Sequence, residues 1–179
     1  MNPKHIVRTF FGLFCIYGVF STSQASESTR PHFAIFLVKT NQTDISKSDL
    51  ENDPVITEKD IISYDWLTHT ILLTESGQKK IRGLGTDPHG KPFVIVADGQ
   101  RCYRGAFWSR ILSVSHGEPI IDVFQAGRTI QIQRAYPDAS FAVGDDPRPD
   151  KRVRLALEAT GKLKTTPQNL SAGPDNTPR

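Results

Sequence analysis

The residues best suited to chemistry are Cys102, the four histidines beyond residue 25 and a set of rings interleaved with arginines. Cys102 brought beside His69 or His116 would make a thiol nucleophile with its base. Ser109 or Ser115 with His116 would be the hydroxyl counterpart, although neither serine lies in a Gly-x-Ser-x-Gly elbow. Asp65 and Asp98 could face each other as a glycosidase carboxylate pair. Both have a simpler role in turns, where the side chain bonds local backbone. His32, His69, His89 and His116 are scattered, without His-x-x-x-His or Cys-x-x-Cys spacing, so no metal site is expected. Gly83-Leu84-Gly85 runs into Thr86-Asp87-Pro88 rather than a helix start, so it is not a phosphate loop. No cofactor is expected.

The rings carry more information. Tyr64 and Trp66 flank Asp65, with His69 just beyond. Tyr103, Phe107 and Trp108 are interleaved with Arg101, Arg104 and Arg110, and Gly105 permits a close backbone approach or a bulge. Trp, Tyr and Arg dominate binding hot spots because each joins a large contact area to a fixed polar tip. Phe107 reads as core. Trp66, Tyr103 and Trp108 read equally well as core rings or as binding anchors. The expected binding set is Tyr64, Trp66, His69, Arg101, Tyr103, Arg104 and Trp108, and the expected partner is a protein or peptide.

The two ends of the chain bear on where that partner is met. Lys4, His5 and Arg8 precede an apolar run from Phe10 to Phe20, and Ser23-Gln24-Ala25 offers small residues for cleavage. This is the layout of a secretory signal, with a run shorter than the roughly 20 residues that span a bilayer. An extracytoplasmic protein is expected, cut near Ala25. The whole chain has 22 basic and 19 acidic residues, and loss of Lys4 and Arg8 leaves it nearly neutral. That balance argues against nucleic acid as the partner, although rings beside arginines would suit a single strand. Residues 145–179 hold five of the twelve prolines and few large apolar side chains, the composition of a disordered tail. Within it DKRVRLALEATGKL could form a short helix capped by Asp150, frayed and solvated. Its Lys151, Arg152 and Arg154 would suit peripheral contact with an anionic membrane surface.

Between residues 31 and 134 the chain has the size of one domain. FAIFLVK, the segments 61–65 and 70–74, PFVIVA and the run from Gln100 to Ala106 read as strands, followed by two more at 119–124 and 129–133. Asp98-Gly99 suits a two-residue hairpin turn, which needs positive φ twice. Thr74 caps one helix that ends at Gly83 and Gly85. Many strands and one clear helix predict an α+β fold, with the helix on one face of an antiparallel or mixed sheet.

The stretch PVITEKDIISYDWLTHTILLTESGQKKI, followed by GKPFVIVADGQ, resembles the first extracytoplasmic domain of the SecD subunit of the bacterial protein translocase. The resemblance covers about residues 54–100. It implies a ferredoxin-like unit and a non-enzymatic, extracytoplasmic module that contacts other polypeptides. SecD itself spans the membrane several times, which this sequence does not match. The YDW-TH-I-LT and Y-x-G-AFW segments are also similar to those of small uncharacterised exported bacterial proteins.

Overall fold

A computed structural model describes residues 30–39, 44–85, 87, 89–111, 114–124 and 127–164. The expected signal segment, residues 1–25, lies outside the described residues. Nine strands form one mixed sheet: β1 (Phe33–Leu37), β2 (Ile56–Thr57), β3 (Ile61–Asp65), β4 (Thr70–Leu73), β5 (Lys91–Ala97), β6 (Gln100–Trp108), β7 (Ile120–Asp122), β8 (Thr129–Gln133) and β9 (Leu163–Lys164). Two nine-residue helices accompany them, α1 (Glu75–Gly83) and α2 (Lys151–Ala159). The order across the sheet is β2-β1-β5-β6-β7-β8-β4-β3-β9. Two pairs, β6–β7 and β3–β9, run parallel and the rest antiparallel.

The α+β, ferredoxin-like expectation is thereby overturned: the fold is mostly β, a curled half-barrel with two short helices among the described residues. The physical reason lies at one corner. β2 belongs to one end of the strand order and β3 to the other, yet only the single 3-10 turn Glu58–Asp60 separates them. A flat sheet cannot satisfy both pairings across three residues, so the sheet must curl until its ends meet. Phe33 of β1 then packs edge-on against Tyr64 of β3, with centroids 6.5 Å apart.

Asp60 holds this corner. Its buried carboxylate accepts from the Thr57 amide at 3.0 Å and from Lys80 Nζ at 2.8 Å, while its carbonyl accepts from the Thr74 amide. Thr74 caps α1 through the Gly77 amide, as its position in the sequence predicts. Gly77 sits so close that a Cβ there would lie 2.6 Å from the Asp60 carbonyl oxygen.

The hollow of the half-barrel is filled from the C-terminal side. Val153, Ala156 and Leu157, spaced i, i+3, i+4 along α2, are fully buried in the main apolar cluster. The helix rests against β1, β5 and β9 and so covers the gap that curling leaves. The helix foreseen as frayed and solvated is therefore part of the core, because the sheet supplies the apolar wall that composition alone does not reveal. Residues 165–179 lie outside the described residues.

At the Asp98-Gly99 turn both residues take positive φ, 46° and 77°. Beyond it the register shifts: Val96 pairs with Arg101 and Ile95 with Tyr103, so Cys102 is an extra residue in β6. This bulge turns Arg101 to the outer face of the sheet while Tyr103 stays inside beside Ile95. Of the two readings the sequence allows at Gly105, a close approach or a bulge, the structure has the close approach. A Cβ there would lie 2.5 Å from the Phe93 ring and from the Pro119 carbonyl oxygen.

Candidate functional site

Strand alternation divides the seven expected binding residues between two places. Tyr64, His69 and Tyr103 are buried inside the half-barrel, and Trp66 is half-buried at its edge. Arg101, Arg104 and Trp108 belong to the opposite face. The seven do not form one surface.

Inside, the Tyr64 hydroxyl and His69 Nδ1 share a hydrogen bond of 2.9 Å. Trp66 packs on both rings, at 6.0 Å from Tyr64 and 5.6 Å from His69. The Arg154 guanidinium of α2 lies 5.9 Å over the Trp66 ring, within cation–π range. Arg148 grips Asp146 with two hydrogen bonds, 2.9 and 2.7 Å, and donates a third to the Ile132 carbonyl. Its hydrogen bonds hold the Asp146 carboxyl down at about 2. Burial pushes the Tyr64 and Tyr103 phenols above their ordinary value. Burial also lowers His69, and the nearby Arg148 charge adds to the effect. Neutral rings beside a closed ion pair make a polar strut between β3, β4 and the 146–148 segment. Tyr64, His69 and Tyr103 are closed to solvent here, and Trp66 is partly covered by Arg154.

The outer face is different. Trp108 and Ala106 of β6 pack with Ile120 of β7 and with Tyr136 into a second, smaller apolar cluster. The Trp108 indole stacks on His116 at 4.7 Å and 29°. A Cβ on Gly90 would meet the indole at 2.8 Å, so the 87–90 turn closes one side of it. His116 and Tyr136 exchange backbone hydrogen bonds of 3.0 and 2.9 Å, which join the 114–119 and 134–145 segments. Above this floor stand Val114, Phe141 and Val143, all exposed, Val143 to 79%. Val114, Ser115, Tyr136, Pro137 and Phe141 enclose a cleft of about 370 Å³. A smaller one of about 180 Å³ runs beside it between Gly117, Val143, Arg104 and Arg134.

Arginines rim the patch. Arg104 pairs with Glu118 at 3.2 Å, Arg110 with Asp122, and Arg134 donates to the Gly144 carbonyl at 2.8 Å. Among the described residues, Trp108 Nε1, Ser109 Oγ and His116 Nε2 are buried without a hydrogen-bond partner. Burial lowers His116, so its ring is neutral near pH 7. Sequence reasoning reached Trp108 and Arg104 here but missed Val114, Tyr136, Phe141 and Val143. The available signal was apolar residues recurring inside AYPDASFAVG, where turn chemistry gives them no strand or helix face to bury.

The nucleophile candidates can also be placed. Cys102 is half-buried, its thiol 3.4 Å from the Gln100 carbonyl, and burial pushes it up to about 11. A thiol that holds its proton is a poor nucleophile. Ser109 and His116 make no hydrogen bond to each other, so they are not a serine–base pair in this geometry. Asp65 accepts from the Leu67 and Thr68 amides of its own turn, whereas Asp98 Oδ1 bonds the ring of the distant His32 at 2.5 Å. Among the described residues, no group of three or more His, Cys, Asp or Glu side chains is placed to hold a metal ion.

The basic side chains of α2 are largely engaged. Arg152 binds Asp150 and the Arg101 carbonyl, and Arg154 binds Glu158. No helix among the described residues is long and apolar enough to cross a membrane. Comparison with protein-family models, curated proteins and solved structures finds no match, and nothing in it bears on the resemblance to SecD.

Proposed function

We propose that this protein is a non-catalytic binding module that engages a protein or peptide partner outside the cytoplasm. The contact is the outer face built from Trp108, residues 114–119 and residues 134–145. One observation carries the reading: three exposed apolar side chains, Val114, Phe141 and Val143, stand over the Trp108–His116–Tyr136 floor, with arginines at the rim. Contiguous exposed apolar area on a small domain is the usual mark of a docking surface. An apolar centre inside a polar rim is the usual anatomy of such a contact. The extracytoplasmic setting rests on the signal-like segment that precedes the fold. A thiol hydrolase is the weaker reading, because burial works against the Cys102 thiolate.

Affinity capture from the extracytoplasmic fraction of the native host tests the proposal, with Val114→Ser, Phe141→Ser as the comparison. Both side chains are exposed, so the variant should fold like the wild type and keep its stability to about 0.5 kcal/mol. A partner retained by the wild type and lost from the folded variant is the expected result. Equal recovery by both forms would rule this face out.

A further inference from the structure

On the outer side of β1, β5 and β6, with a lining that shares no residue with the 108–145 face, a second cleft of about 350 Å³ opens. Its lining is Arg30, Pro31, Phe36, Leu50, Val96, Gly99 and Arg101. The volume falls in the range of small-molecule pockets, whose walls are mostly apolar with a few placed polar groups. Here the apolar wall is Pro31, Phe36, Leu50 and Val96, and every charge in the lining is positive.

The chain builds this arrangement in three steps. The extra residue in β6 turns Arg101 outward beside Val96. The 44–50 segment then crosses that face, and Arg101 donates one guanidinium nitrogen to the Ile45 and Ser46 carbonyls at 2.6 and 2.9 Å. That fixes the guanidinium while its other edge makes no hydrogen bond among the described residues. Arg30 reaches the same hairpin turn, where its guanidinium stands 3.7 Å from the position a Gly99 Cβ would take. The carboxylate of that turn, Asp98, is held on His32 and does not neutralise either arginine by an ion pair.

We infer that this cleft binds a free amphipathic carboxylate from solution, its unbranched apolar tail on Phe36, Leu50 and Val96 and its head between Arg30 and Arg101. A planar, two-oxygen anion suits guanidinium donors, and a tail of moderate length suits an apolar trough of this size. No part of this inference depends on the protein-binding face.

The test is titration of the purified protein with decanoate, followed by calorimetry and by amide chemical shifts. Saturable one-to-one binding is expected, with shifts confined to Leu50, Val96, Gly99 and their neighbours. Decanol and decylamine, which share the tail and lack the anion, should bind at least about tenfold more weakly. Arg30→Gln should raise Kd about tenfold and leave the fold intact, since Arg30 is exposed. Arg101→Gln should act likewise, and the wild-type shift map decides the matter if loss of its loop contacts unfolds that variant. Equal affinity for decanol, shifts centred elsewhere, or no binding would overturn the inference. Co-sedimentation with anionic phospholipid vesicles, lost in Arg30→Gln, would also overturn it and assign the cleft to a lipid surface.

Discussion

The two aromatic clusters of this protein are built from the same residue types and differ in how they are closed. Inside the half-barrel, the Tyr64 hydroxyl meets His69, Arg148 meets Asp146, and Trp66 lies under Arg154. On the outer face, Trp108 Nε1 and His116 Nε2 are buried without partners, beneath aliphatic side chains that water reaches. Inside, the Tyr103 hydroxyl also lacks a partner among the described residues, so the contrast lies in cover: the inner rings are closed off by the sheet and α2, whereas the outer cluster lies under exposed side chains. Rings beside arginines therefore do not by themselves mark a surface. The side of the sheet that each residue occupies decides which role it takes.

The largest expected effect follows from this contrast. Tyr64→Ala should cost about 3–5 kcal/mol in urea denaturation, because it empties a fully buried ring site and orphans His69. Removal of the exposed Phe141 ring should cost under about 0.5 kcal/mol. Similar losses at the two sites would break the comparison.

A smaller effect tests the corner that forces the two faces apart. Gly77→Ala places a Cβ against the Asp60 backbone oxygen, which cannot swing away as a side chain would. A loss of about 1–3 kcal/mol is expected, measured as a lower denaturation midpoint. An unchanged midpoint would show that the corner has room to relax.

The mildest effect is the response to acid. Burial lowers His69 and His116 in the folded state, so between their folded values and the ordinary 6.5 the unfolded chain binds more protons. Stability is then complete above about pH 7 and falls as the pH drops through 6.5. Asp146, depressed to about 2, adds a contribution that is present above its ordinary value and lost only toward pH 2. The denaturation midpoint should therefore be lower at pH 5.5 than at pH 7.5, and His69→Gln should shrink that difference. A midpoint that rises with acid would contradict the neutral inner ring.

Much of the local structure was legible in the residues. Thr74, Gly83 and Gly85 bound α1, Asp98-Gly99 makes the hairpin, and Phe107 packs in the core. The candidate site was legible in part. Trp108, Arg104 and Arg101 reach the outer face, whereas Tyr64, His69 and Tyr103 turn inward. For Arg101 the cause is the added residue at Cys102, a shift of register that leaves no mark in composition. The tail misled for a related reason: Val153, Ala156 and Leu157 look sparse beside the prolines, and only a waiting apolar wall makes them core.

By itself the sequence determined the short-range features, namely the caps, the hairpin turn, the strand segments and the signal-like start. Each depends on interactions within a few residues, where φ preference and capping chemistry act alone. The tertiary structure decided that the sheet curls, that α2 fills it, and which rings face water. Those outcomes depend on contacts between residues far apart in the chain, Phe33 with Tyr64 or Arg152 with Arg101, whose energies exist only once the corner at Asp60 has closed.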